Sequence, residues 1–430
     1  MKMRFLALTL ILTGGLFSMA NSSEIAKIQF DNGLTLIHKK TGPLPIISVK
    51  LFLKTGCTND PKEKLGLTNL TQQLLTRGTK TRTNEQIATE IESMGGHLSA
   101  SCVEDYSEID LDITQKYFTK AFDLLADVFL NPSFPADELE KAKTVTKASI
   151  RSRQDSIFEV TFDLLKKNLY QDHPYTNIPS GTLETVDKIT QNDLVAYHKK
   201  YYGSQNILMV VTGNISLAEI KKAINKSFAG LSKGETPVTT LPIVTAQQKT
   251  EEQKGKFEQA YLMYGFLVPE ISNNDYTKLK VLNTYLGGGM SSLLFQELRE
   301  KAGLGYEVSS FYPSRKAQSS FVIYIGLDKS SLTLAKEKVN TILNELKTRP
   351  IDEARLKDAK KYIKGTFLLD HQTNSRQCWY LGWWETIGKG YKYDDVYASE
   401  LEKITSADIK EVINKYFSGN YVYVQISPEK

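Results

Sequence analysis

Asn69, Gln72, Gln73 and Thr76 stand at offsets 0, 3, 4 and 7 within "GLTNLTQQLLTRGT", residues 66–79. On a helix this spacing lines four uncharged polar side chains along one face, with Leu67, Leu70 and Leu74 on the other. Two groups at i and i+4 with a third between them is how a helix presents a pair of metal ligands and a general base. Amides suit neither task. An amide oxygen neither matches the softness of zinc nor neutralises its charge, and a glutamine takes no proton from water at neutral pH.

Other chemistries find little support. His38, His97, His173, His198 and His371 include no pair within twenty residues of one another, so no helix carries two imidazoles one turn apart. His173, in "QDHPYTNIPSGT", reads as a loop histidine whose hydrogen bonds are satisfied. No Gly-x-Ser-x-Gly elbow occurs, and "LGGGMSSLLFQELREKAGLGY" lacks the Gly-Lys-Ser/Thr ending of a phosphate loop. Cys57, Cys102 and Cys378 are the only cysteines. With no Cys-x-x-Cys among them, a thiolate zinc site and redox catalysis are both disfavoured. Cys57 and Cys102 lie at or near β-patterned segments and pair if those strands are neighbours; otherwise they stay free thiols.

The elements that position these residues belong to a chain of 430 residues with 41% hydrophobic and 24% charged residues, ordinary for a globular protein and long enough for two domains, each burying its own core. Lys2 and Arg4 precede an apolar run from Phe5 to Phe17, and Ser18-Met19-Ala20 offers small residues for a signal peptidase. Residues 1–20 are therefore expected to be a signal peptide, giving an exported, periplasmic protein with no stable membrane insertion after cleavage; a retained N-terminal anchor is the alternative. Without Lys2 and Arg4 the chain carries 52 basic against 49 acidic residues. That balance gives no reason to expect nucleic acid as a partner.

Asn32-Gly33 within "KIQFDNGLTLIHKK" marks a hairpin. "IISVKLFLKTG" reads as a strand and "HLSASCVEDYSEIDLDI" as two more. Helical segments follow near 116–130, 135–154, 157–170 and 190–202. "ITQNDLVAYHKKYY" from Ile189 returns as "ITSADIKEVINKYF" from Ile404, an offset of 215, and each copy precedes a β-rich run. So long a repeat implies duplicated α+β domains rather than a solenoid. The boundaries expected are 24–233 for the first domain, 234–255 for a Pro- and Thr-containing linker, and 256–430 for the second.

Taken in order, "DNGLTLIHKK", "GLTNLTQQLLTRGT", "MGGHLSASCVEDYSEIDLD", "LLADVFLNPSFPADELEKAK", "DHPYTNIPSGTLETVDKIT", "YHKKYYGSQNILMVVTGNIS" and "LGGGMSSLLFQELREKAGLGYEVSS" resemble the pitrilysin or insulinase-type zinc peptidases (inverzincins). The resemblance is to the two-domain branch that includes the mitochondrial processing peptidase subunits, and it spans roughly residues 28–425. It implies two homologous α/β-sandwich domains, mainly antiparallel sheet flanked by helices, arranged like a clam. The family's His-x-x-Glu-His falls on Asn69, Gln72 and Gln73, and its third zinc ligand, a glutamate about 76 residues on, falls on or beside Ser149. The resemblance therefore implies degenerate metal and base positions at Asn69, Gln72, Gln73 and Ser149, with no metal on this chain.

It also implies that Arg299 and Tyr306, in "LREKAGLGY", hold the scissile carbonyl of a peptide. Ser99 and Ala100, in "GGHLSA" where the family has Asn-Ala, fall on a strand that pairs with the substrate backbone. The functional expectation is a non-catalytic subunit of a heterodimeric zinc metalloendopeptidase, supplying Arg299 and Tyr306 in trans. Its partner is a sister chain with His-x-x-Glu-His that carries the zinc, and its substrate an unfolded peptide. A peptide-binding or structural scaffold with no part in proteolysis is the alternative; a stand-alone zinc peptidase requires an unrecognised metal site.

Overall fold

In the computed structural model, which describes residues 25–237 and 240–429, the alternating runs around Asn32-Gly33 form a hairpin of β1 (Ile25–Gln29) and β2 (Thr35–Lys40). The expected signal segment, residues 1–20, lies outside the described residues. Four more strands complete the first sheet: β3 (Ile46–Leu53), β4 (His97–Cys102), β5 (Ser107–Thr114) and β6 (Ile207–Gly213). Their order is β1-β2-β6-β3-β5-β4, antiparallel except where β2 runs parallel to β6. The second sheet holds β7 (Lys249–Gly255), β8 (Ala260–Val268), β9 (Glu307–Phe311), β10 (Ser319–Leu327) and β11 (Val422–Pro428) in the order β7-β11-β8-β10-β9. Its one parallel pair, β11 with β7, occupies the place of β6 with β2. The duplication expected from the 215-residue repeat is thus a duplication of topology.

Helices of the first half are α1 (Leu67–Leu75), α2 (Asn84–Ser93), α3 (Phe118–Leu130), α4 (Ala136–Arg153), α5 (Ile157–Tyr170), α6 (Leu183–Lys188), α7 (Gln191–Tyr201) and α8 (Leu217–Ser227). The second half adds α9 (Tyr276–Gly287), α10 (Leu332–Thr348), α11 (Glu353–Asp370), α12 (Asn374–Ile387), α13 (Tyr393–Lys403) and α14 (Ser406–Tyr416). The repeated sequences become α7 and α14. Each starts with the same reciprocal cap: Thr190 N–H donates to Asp193 Oδ2 and Thr405 N–H to Asp408 Oδ2, both at 2.8 Å. Such a box satisfies amide donors that the first helical turn leaves unpaired.

The central strands of each sheet are buried on both faces, and their own half covers only one of them. Leu67, Leu70 and Leu74 of α1 and Phe122 of α3 pack with Val49, Leu51, Leu111 and Val211 on one face of the first sheet. On the other face Cys378 and Leu381 of α12 meet Ile37, Phe52, Leu208 and Val210. Reciprocally, Leu165 and Leu169 of α5 cover Met263, Val322 and Val424 of the second sheet. Each half buries a large core of its own, as expected, and in addition lends one helix to the other half's sheet, which makes two smaller shared cores. The approach is close: a Cβ on Gly382 of α12 would stand 2.0 Å from the Phe52 ring.

The linker expectation is corrected at both ends. Gly234 and Glu235 are still tied to the first half, through Gln205 Nε2 to Gly234 O and Asn206 Nδ2 to Glu235 O, each at 2.6 Å. From Lys249 the chain is already β7, an edge of the second sheet. Leu241, Val244 and Ala246 between them pack onto the core that α5 shares with the second sheet. Apolar residues in a Pro/Thr-rich run thus anchor what composition alone reads as a free spacer.

Candidate functional site

Gly66 starts α1, and the helix has no side-chain cap of its own. Asp60 supplies one from the preceding turn: its Oδ2 accepts from Gly66 N–H at 2.9 Å, and its Oδ1 accepts from Thr68 N–H at 3.0 Å and Thr68 Oγ1 at 2.5 Å. Burial pushes the Asp60 carboxyl up to about 6, against these hydrogen bonds. Thr68 Oγ1 and Thr55 Oγ1 also meet the buried Tyr197 hydroxyl, at 2.6 and 2.9 Å. The start of α1 is therefore fixed from three directions. This network was not anticipated from the sequence, although an uncapped helix six residues after an aspartate is a usable signal.

The amide face is not a solvent face. Gln72 is buried, and its Nε2 donates to the Tyr202 hydroxyl at 2.8 Å while its Oε1 is buried without a partner. Gln73 is half-buried and its Nε2 donates to Thr146 Oγ1 of α4 at 3.4 Å; Asn69 is half-buried beside it. Ser149, the expected fourth position, lies about one turn beyond Thr146 and is exposed. The structure brings Asn69, Gln72 and Gln73 together with Thr146 and Tyr202, which sequence reasoning had not placed there. Among the described residues, no group of three or more His, Cys, Asp or Glu side chains comes together to hold a metal ion.

The donor set does not fit zinc. Two of its three amides already donate to hydroxyl groups, none of the four positions carries negative charge, and no imidazole is present. The five histidines are dispersed. His198 Nε2 bonds the Phe129 carbonyl at 2.7 Å, and burial pushes its imidazole down to about 4. His173 accepts from Tyr175 N–H at 3.0 Å, and burial and the Arg315 charge push it down to about 4. Both are neutral structural groups at physiological pH.

β4 is the edge strand of the first sheet, with α1 packed across it. Leu98 and Ala100 pack into the core on the α1 side, so by strand alternation Ser99 belongs to the opposite face. There His97, Ser99 and Ser101 pair in register with Asp112, Asp110 and Glu108 of β5. This acidic row runs toward α12, whose Ser375 Oγ donates to Asp112 Oδ2 at 2.9 Å and whose Trp379 Nε1 donates to Glu108 Oε2 at 3.1 Å. Burial, then the Asp110 charge, pushes Glu108 up to about 7. An edge strand of this kind offers its unpaired N–H and C=O groups to an extended peptide.

Arg299 and Tyr306 sit at the matching edge of the second sheet. Arg299 lies in Phe295–Glu300, a short helix of π type, and Tyr306 immediately precedes the edge strand β9. Arg299 Nη1 donates to the Tyr306 carbonyl at 2.7 Å, and its guanidinium lies 5.1 Å from the Phe295 ring centre. Both side chains are exposed, Tyr306 to 59%. No hydrogen bond joins this pair to the α1 amides, so among the described residues the structure presents two separate groups.

Comparison with known proteins agrees with this architecture. The family profile described as insulinase (peptidase family M16) matches residues 36–182, and that described as peptidase M16 inactive domain matches residues 188–363. The chain is 27% identical over 405 residues to the uncharacterized zinc protease YmxG of Bacillus subtilis, covering 94% of this chain and 98% of that one. It is 24% identical over 422 residues to the non-peptidase homolog YmxG of Helicobacter pylori, covering 97% of each. Its fold is shared with a crystal structure of a peptidase M16 inactive domain from Pseudomonas fluorescens, at TM-score 0.88 and 23% identity, covering 94% of this chain and 98% of that one. The crystal structure of a protease from Helicobacter pylori gives TM-score 0.86 at 21% identity, covering 94% of this chain and all of that one.

Proposed function

The chain belongs to the insulinase (M16) peptidase family as a member without the His-x-x-Glu-His motif, and we propose that it is the non-catalytic subunit of a heterodimeric, periplasmic zinc endopeptidase. The observation that carries this reading is the contrast between two sites. The metal positions hold amides already engaged with Tyr202 and Thr146, whereas Arg299 and Tyr306 stand exposed at a sheet edge.

Zinc and the general base then belong to a sister chain, and this chain's residues bind and orient. An unfolded peptide adds to the β4 edge at Ser99 and Ala100, held mainly through its backbone, which makes the loss of an asparagine at position 99 tolerable. Arg299 uses one donor on the Tyr306 carbonyl, which with Phe295 sets the plane of its guanidinium. Its other donors and the Tyr306 hydroxyl are suited to a carbonyl oxygen that gains negative charge during hydrolysis.

The test is co-purification with a His-x-x-Glu-His chain from the native host, followed by peptidase assays on each chain and on the pair. The pair is expected to hydrolyse unfolded peptides and this chain alone to be inactive. Arg299→Ala is expected to abolish the pair's activity while leaving assembly intact; full activity in that variant contradicts the role. A scaffold or peptide-binding role without hydrolysis is the second reading, favoured by the non-peptidase naming of the Helicobacter relative. Peptide binding with no sister chain recovered selects it.

A further inference from the structure

Two thiols meet where the edge of the first sheet borders the approach to α1. Cys57 opens the turn Cys57–Asn59, Cys102 ends β4, and their Sγ atoms are 3.3 Å apart. The flanking main chains are already joined. Cys57 N–H donates to Val103 O at 3.0 Å, Thr58 N–H to Glu104 O at 3.1 Å, and Thr58 Oγ1 to the same carbonyl at 2.9 Å. They run so close that a Cβ on Gly56 would stand 2.4 Å from the Glu104 oxygen. A disulfide needs sulfurs about 2 Å apart on backbones within about 7 Å. Closing the remaining gap asks for side-chain rotation of roughly 1.3 Å at the sulfurs and no rearrangement of the strands.

We propose that Cys57 and Cys102 form a disulfide by exchange with an external disulfide, locking the end of β4 to the turn that leads into α1. The half-exposed Cys102 is the first nucleophile and the buried Cys57 the resolving one. The Cys102 thiolate attacks one sulfur of the oxidant, forming a mixed disulfide and expelling a thiolate. The Cys57 sulfur then attacks Cys102 Sγ, gives its proton to solvent or the departing thiolate, and releases the second half of the oxidant. Two protein thiols become one disulfide, and one reagent disulfide becomes two thiols. The hydrogen bond with Cys102, together with burial, pushes the Cys57 thiol up, which leaves Cys102 to open the exchange. Cys378 takes no part: it is fully buried and its thiol donates to the Val210 carbonyl at 3.3 Å.

The two cysteines are 45 residues apart, so the link closes a loop containing all of α1 and α2. Asp60, three residues after Cys57, holds the start of α1. The disulfide therefore fixes α1 relative to the β4 edge. Its consequence for peptide docking rests on the function proposed above, whereas its formation does not.

The full mature chain, purified reduced, is incubated with oxidised and reduced glutathione, denatured, alkylated and mapped by mass spectrometry. The expected result is one alkylated thiol, at Cys378, and one cross-linked peptide pair joining Cys57 to Cys102. Oxidation should raise the melting temperature by roughly 2–5 °C, dithiothreitol should reverse the rise, and neither change should occur in Cys57→Ser or Cys102→Ser. The wild-type readout stands even if a variant folds poorly. Three alkylated thiols, a link to Cys378, or a glutathione adduct on Cys102 that never resolves would each overturn the proposal.

Discussion

The Gln72 amide nitrogen lies 2.8 Å from the Tyr202 hydroxyl, and both side chains are buried. At the position to which the family resemblance assigns a general base, this chain has a hydrogen-bond donor whose partner is part of the core. The pair is expected to be coupled. Tyr202→Phe strands the amide N–H and should cost about 1–3 kcal/mol, whereas adding Gln72→Met removes the stranded group and should recover part of that loss. Urea denaturation of the four proteins in the cycle checks this; strictly additive costs would contradict the coupling.

Exchange of α5 and α12 between the halves makes their stabilities interdependent. Gly382→Val places a branched side chain against the Phe52 ring, where even a Cβ would stand at 2.0 Å. It is expected to cost about 2 kcal/mol or more by overpacking. Because α12 completes the first sheet and α5 the second, both halves should still unfold in one transition. Circular dichroism and tryptophan fluorescence, whose three reporters Trp379, Trp383 and Trp384 all lie on α12, should give coincident melts. Separated transitions would contradict the shared core.

Two buried groups should impose opposite pH dependences on stability. His198 falls from 6.5 to about 4 on folding, so its contribution is present above 6.5 and is lost as pH drops toward 4. Asp60 rises from 3.8 to about 6, so its contribution is present below 3.8 and is lost as pH climbs through 6. Each is worth roughly 3 kcal/mol over its window. Against wild type, His198→Gln should flatten the loss on acidification and Asp60→Asn the loss on neutralisation. Stability curves parallel to wild type between pH 4 and 7 would contradict both assignments.

Much of this architecture is legible in the sequence. Asn32-Gly33 places the first hairpin, the Thr-x-x-Asp pairs at 190 and 405 place the duplicated helices, and the 215-residue offset gives the repeated topology. Long-range partnership is not legible there. Helical periodicity puts Gln72 on a polar face of α1, but only tertiary packing brings Tyr202 to it and turns that face inward. Composition makes 234–255 a spacer, yet its last residues complete a sheet because β11 leaves an edge for β7 to pair. Two separate cores are the natural inference from a duplicated chain. Those two exist, but a sheet has two apolar faces and each half's own helices cover one, so the remaining faces make two further cores shared between the halves.

Metal content tests the reading of α1 most directly. The chain, purified alone and dialysed against trace-metal-free buffer after exposure to zinc, is analysed for zinc by elemental mass spectrometry. Amide and hydroxyl side chains at 69, 72, 73 and 149, two of them engaged with Tyr202 and Thr146, predict far less than one zinc per chain. One tightly held zinc per chain, retained through dialysis, would contradict the account.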